Sequence, residues 1–221
     1  MSMVAWGGDS ASDVLVPPED GAEMIAAEVG VLFGGKLESS TKARLFRREA
    51  PPRIGVSPPH GVYLVSLEDA KGKNWLERSE FYSWRYVFFD VDNPLGVAEI
   101  SQDKSGHYRL FRVGSRAEAF ATLEAVRQLD VIVGDEVYEL RFVRVISLAI
   151  SAVWAHGQQG FSCDKFVIVP SDSAGSLSNP AVGYWEGNDF VELISSMAID
   201  KVAFGRDVLF GSKASFRAQE L

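Results

Sequence analysis

From Glu19 the apolar residues Ala22, Ile25, Ala26, Val29, Leu32 and Phe33 recur at helical spacing. Acidic residues crowd the first turn and Gly34-Gly35 offers a stop, so the pattern predicts an amphipathic helix. The first fifteen residues are small, polar and glycine-containing, and read as a mobile or edge segment. Pro51, Pro52, Pro58 and Pro59 hold the next stretch extended and remove ladder donors, which predicts a surface loop over 51–61. Val62 to Leu67 then reads as a strand, and Glu68 to Ser79 as a polar excursion carrying Trp75. Three apolar-rich runs follow, Tyr82 to Asp90, Gly96 to Ser101 and Tyr108 to Val113, divided by Asp92-Asn93-Pro94 and Asp103-Lys104-Ser105-Gly106. That alternation of strand and turn residues predicts an antiparallel meander.

Ser115-Arg116-Ala117-Glu118 has the spacing of a capping box, with Glu118 placed to reach back to the serine amide. It opens a helix to about Leu129 in which Phe120, Leu123 and Val126 form one apolar side. Tyr138 to Trp154 reads as one or two strands, with helix for 145–155 left open because periodicity does not decide a short apolar run. Phe166 to Val169 is a further strand, Ser171 to Gly183 a loop, and Asn188 the cap of a helix with Phe190, Ile194, Met197 and Ala198 inward. The tail after Gly205 reads as less regular. The order argues an α+β fold: a mostly antiparallel sheet against two to three amphipathic helices, in one domain over 1–221, with 51–61 as the one candidate boundary.

Composition narrows the function classes. The 221 residues are 47% apolar and 24% charged, as in an ordinary globular chain. With 30 acidic against 22 basic residues the net charge is -8, which opposes a polyanionic partner. The clusters Arg44, Arg47, Arg48 and Arg141, Arg144 read as strand or helix residues facing water, so nucleic acid is not expected. No uncharged run is long enough to span a bilayer, and a single cysteine, Cys163, suits a reducing cytoplasm. A soluble cytoplasmic protein is the expectation.

Tyr86-Val87-Phe88-Phe89-Asp90-Val91-Asp92-Asn93-Pro94-Leu95 delivers two carboxylates from an apolar strand into a turn. It resembles the first motif of the haloacid dehalogenase superfamily, and Val131-Ile132-Val133-Gly134-Asp135 resembles that family's apolar strand ending in Gly-Asp at the metal. The resemblance implies Asp90 as nucleophile, Asp92 as general acid/base and a Mg²⁺ ion held with Asp135. It covers about ten residues at each place, and Pro94 stands where the family has threonine. The same residues also read as a hairpin turn, in which Asp and Asn bond their own backbone.

Other constellations are sparser. His60, His107 and His156 lie beside glycines without the close spacing of paired ligands. Cys163, His156 and Asp164 have the residue types of nucleophile, base and orienting acid. Trp75, Arg78 and Phe81 fit a partner-binding surface, because Trp, aromatic and Arg side chains favour interface centres. The leading expectation is therefore a non-enzymatic binder of another protein, in the manner of an acidic inhibitor or immunity protein meeting a basic partner, without a cofactor. The alternative is a small metal-dependent hydrolase or phosphatase using Asp90 and Asp92. A third reading is a ligand-binding module with its pocket between the meander and the last helix.

Overall fold

The computed structural model describes residues 15–38, 54–157, 163–170 and 183–216, with side chains left aside at 31–38 and 205–216. The N-terminal segment before Leu15, the Arg44, Arg47, Arg48 cluster, Pro51, Pro52 and most of the loop after Ser171 lie outside the described residues. The chain runs α1 (Gly21–Glu38), β1 (Ile54–Val56), β2 (His60–Leu64), α2 (Leu67–Ala70), a 3-10 turn at Trp75–Arg78, β3 (Glu80–Asp90), β4 (Asn93–Gln102) and β5 (Tyr108–Gly114). It continues through α3 (Arg116–Val133), β6 (Tyr138–Val145), β7 (Ile150–Gly157), β8 (Lys165–Ile168), β9 (Tyr184–Glu186) and α4 (Gly187–Phe216).

One nine-stranded sheet has the order β5-β4-β3-β2-β6-β7-β8-β9, with β1 also paired to β3. Every pair is antiparallel except β2 with β6. The expected meander is β3 to β5, and α3 then carries the chain back over the sheet, so that β6 enters alongside β2. The fold is α+β. The run 145–155, left open between helix and strand, is the second half of a β6–β7 hairpin, turned at Ala149 with φ 55°.

Directly opposed residues share a face of a sheet. Trp84, Gly61, Arg141, Trp154 and Phe166 line up across five strands on one face. There α1 covers Trp84, Tyr86, Phe88, Ala98 and Ile100 with Ile25 and Val29, while α4 covers Val143, Trp154, Phe166 and Ile168 with Phe190 and Ile194. Val62, Phe142, Val153 and Val167 lie on the opposite face, under Ala125, Leu129 and Val133 of α3. Two helices thus cover one face and α3 crosses the other.

Several local readings change. Both α1 and α4 run beyond the glycines expected to end or loosen them, to Glu38 and Phe216, and α4 begins at Gly187, ahead of Asn188. Ser115 Oγ accepts from Glu118 N as the capping box requires, yet Ala119, Thr122, Ala125, Leu129 and Val133 are the buried side of α3. Phe120 is left 49% exposed. A bulge in β3 between its pairings with Val62 and Tyr63 interrupts the apolar run and turns Tyr82 out against Phe111 at 5.4 Å. No helix among the described residues is long and apolar enough to cross a membrane.

Candidate functional site

Beneath the first half of α3 the sheet carries charge where its neighbours carry core. Arg85 on β3, Glu99 on β4 and Arg112 on β5 are opposed in register, and Glu118 and Thr122 descend from α3 while Arg144 enters from β6. Arg85 and Glu99 are fully buried. Glu99 Oε1 accepts from Arg85 Nη1 at 2.7 Å and Arg112 Nη1 at 3.0 Å, and its Oε2 accepts from Arg144 Nη1 at 2.7 Å. Glu118 accepts from Arg85 Nη2 at 2.9 Å and Arg112 Nη2 at 2.7 Å. Two guanidiniums lie over the Phe142 ring, with Arg85 Cζ 4.3 Å and Arg144 Cζ 5.2 Å from its centroid. Arg141 and Arg144 are therefore not the water-facing residues expected, since their side chains are only 18% and 14% exposed.

Burial pushes the Glu99 and Glu118 carboxyls up, but the guanidiniums bonded to each outweigh it and hold both below the ordinary glutamate value. Burial lowers Arg85 from its usual value against the pull of Glu118 and Glu99. His60, opposite Arg85 on the same face, is pushed down to about 4 by burial and then by the Arg85 charge. This network fixes α3 to β3, β4, β5 and β6, and so places the outer side of the helix against the β3–β4 turn.

At that turn Asp90 pairs with Asn93, leaving Val91 and Asp92 as the loop. Val91 has φ 56° and is 78% exposed. Beside it a depression of about 480 Å³ is lined by Phe89, Asp92, Pro94, Phe120, Leu123, Glu124 and Arg127, among others. Phe120, Glu124, Arg127 and Val131 are exposed and follow one another at three- and four-residue steps, so they form a stripe along α3. Val131 is 84% exposed. Arg127 approaches Glu124 at 3.8 Å, both being well exposed, so the ion pair holds neither firmly.

The residues expected to hold a metal are not brought together. Asp90 closes a strand and Asp92 occupies the turn, whereas Val131, Ile132 and Val133 belong to the last turn of α3 and Asp135 follows its glycine cap. Among the described residues no three His, Cys, Asp or Glu side chains are grouped as metal ligands would be. The third member of the expected Mg²⁺ trio, Asp135, thus follows a helix end in place of the parallel strand that the resemblance implies. Of the expected partner surface, Trp75 is fully buried, edge-on to Phe190 at 5.9 Å with Nε1 donating to Val191 O at 3.4 Å. Its ring is a core anchor for α4, and so cannot touch a partner. Arg78 is exposed and Phe81 packs on Trp84 and Tyr63.

One sequence constellation is partly assembled. Asp164, fully buried, accepts from Trp154 Nε1 at 2.7 Å and Gly157 N at 3.0 Å, with His156 Nδ1 at 3.0 Å from Oδ1. That geometry orients the imidazole and joins β7 to the start of β8. Cys163 stands beside Gly157. Sequence reasoning missed the depression because Phe120 and Leu123 fit an inward helix stripe. The better signal was the spacing of Ala119, Thr122 and Ala125, small residues that let a helix approach a sheet.

Comparison with protein-family models, with curated proteins and with solved structures returns no match to this chain.

Proposed function

We propose that the chain is a protein-binding module for a basic partner, and that the depression between the β3–β4 turn and the outer side of α3 is the contact. The observation that carries the reading is Val91. A β-branched residue in the left-handed region is costly, and with 78% of its surface exposed no packing among the described residues offsets that cost. Glycine or asparagine would suit the turn better. A side chain kept there at a cost to folding is supported by a role outside the fold. Phe89, Pro94, Phe120 and Leu123 supply apolar area, and Asp92 with Glu124 supplies a rim that complements lysine or arginine.

The net charge of -8 adds a long-range field favouring a cationic partner. Inhibitors of basic toxins and enzymes work in this way, by occupation and charge complementarity without covalent chemistry. The test is affinity capture from the native cell with the wild type beside an Asp92→Lys/Glu124→Lys double variant. The expected result is a basic protein retained by the wild type, weakened as salt rises to about 0.5 M, and lost with the variant. A complex indifferent to charge reversal, or no complex at all, refutes the reading.

A further inference from the structure

The other flank of α3 borders a second depression of about 400 Å³, where the end of β5, the first turn of α3 and the ends of β6, β7 and β8 meet. Arg112, Arg144 and Ser151 line it, with Glu118 and Ser115 at the helix side. Arg144 and Ser151 are directly opposed in the β6–β7 ladder, so both point from the sheet toward α3. We propose that this depression binds a small monocarboxylic acid, its carboxylate seated between Arg112 and Arg144 and its apolar body against Phe142, Val169 and Pro170. The proposal is independent of the protein contact on the opposite flank.

The charge balance points to a monoanion. Among the described residues three guanidiniums, Arg85, Arg112 and Arg144, meet two carboxylates, Glu99 and Glu118, which leaves one positive charge in excess. Uncompensated charge in a low-dielectric site is costly, and one carboxylate cancels it. Arg85 and Glu99 are sealed, whereas Arg112 and Arg144 keep 35% and 14% of their side-chain surfaces accessible and border the open volume. Arg112 and Arg144 each have both Nη atoms bonded to Glu99 or Glu118 through one hydrogen, so a ligand carboxylate takes the N–H groups that remain of the five a guanidinium carries. The α3 N-terminus adds a further favourable field for an anion.

A doubly charged phosphate fits less well. Glu118 forms part of the wall and repels a second negative charge, and the excess to be neutralised is one. The volume lies within the range of pockets for small molecules. Phe142, Val169 and Pro170 cannot hydrogen-bond through their side chains, so an acid with a short alkyl or aryl body is favoured over a hydroxyacid.

The experiment titrates sodium acetate, butyrate, benzoate and phosphate into the whole protein at constant ionic strength set with chloride. Thermal midpoint, calorimetry and amide ¹⁵N–¹H shifts are the readouts. Butyrate or benzoate should raise the midpoint by several degrees above the chloride control and bind at one saturable site, more tightly than acetate or phosphate. Amide shifts should concentrate at 112–118 and 144–151. Arg112→Gln should weaken binding about tenfold, the scale of one charge-assisted hydrogen bond. Ser151→Phe should abolish it by filling the floor with every charge in place. Carboxylates that behave as chloride does, phosphate binding more tightly than benzoate, or binding that survives Ser151→Phe would each overturn the proposal. The amide titration decides it on the unmodified chain should either variant fail to fold.

Discussion

Replacing Glu99 by glutamine removes one negative charge from the middle of the network and changes little in shape. Glu99 is fully buried and accepts from all three guanidiniums, so its loss raises the local excess from one positive charge to two. The new amide also presents N–H groups to three donors. Breaking a buried ion pair by deleting one partner costs about 3–5 kcal/mol, because the surviving charge is left uncompensated. For a chain of this size each kcal/mol is worth about 2–4 °C, so the midpoint should fall by roughly 6–20 °C. Urea unfolding followed by circular dichroism measures the free energy directly, and an unchanged denaturant slope shows that the native state is otherwise intact.

The same substitution has a pH signature. The folded-state carboxyl of Glu99 lies below the ordinary glutamate value, so its stabilisation is in place above that value and is lost as pH falls through the folded one. The wild type should therefore lose stability more steeply than Glu99→Gln as pH falls below the ordinary glutamate range. A double variant, Arg85→Met/Glu99→Met, removes opposite charges together and should be less destabilised than Glu99→Gln alone. A loss below about 1 kcal/mol in Glu99→Gln, or a double variant worse than the single, refutes the account of these charges as an interdependent buried set.

The next two consequences concern single residues. His60 has a folded value of about 4 against 6.5 unfolded, so the unfolded chain binds the extra proton and stability should fall as pH drops from 6.5 toward 4; His60→Gln should flatten that segment of the urea-derived stability profile, and an unchanged slope assigns it elsewhere. Val91→Gly relieves the left-handed backbone at φ 56° and should raise stability by about 1 kcal/mol while weakening capture of the basic partner, whereas a loss of stability refutes the strain.

The meander and the helices were legible in the sequence because each repeats at one period for long enough to exceed the noise of single residues. Tyr82 to Asp90, Gly96 to Ser101 and Tyr108 to Val113 are strands with turn chemistry between them, and all three lie where the pattern put them. Register was less legible. One bulge opposite Val62 and Tyr63 moves Tyr82 out of the row containing Trp84, Tyr86 and Phe88, and a bulge leaves no trace in hydrophobic periodicity. The pairing of β2 with β6 is nonlocal: about eighty residues separate the strands, and only the return of α3 across the sheet brings them together.

The candidate sites were hidden for a related reason. Arginine and glutamate within apolar strands read as the solvated side of a half-exposed sheet, and that reading fails when a helix covers the second face. Arg85, Glu99 and Arg112 sit on three successive strands, so only the register reveals that they form one row. The row in turn explains the composition of α3. A helix laid over guanidiniums needs small residues and acceptors at the contact, which are Ala119, Thr122 and Glu118, and its larger apolar residue Phe120 is displaced toward the β3–β4 turn. The buried charge and the exposed apolar stripe are thus two sides of one placement. A helix anchored by ions on its inner side can leave phenylalanine and valine outside, because its docking no longer depends on burying them.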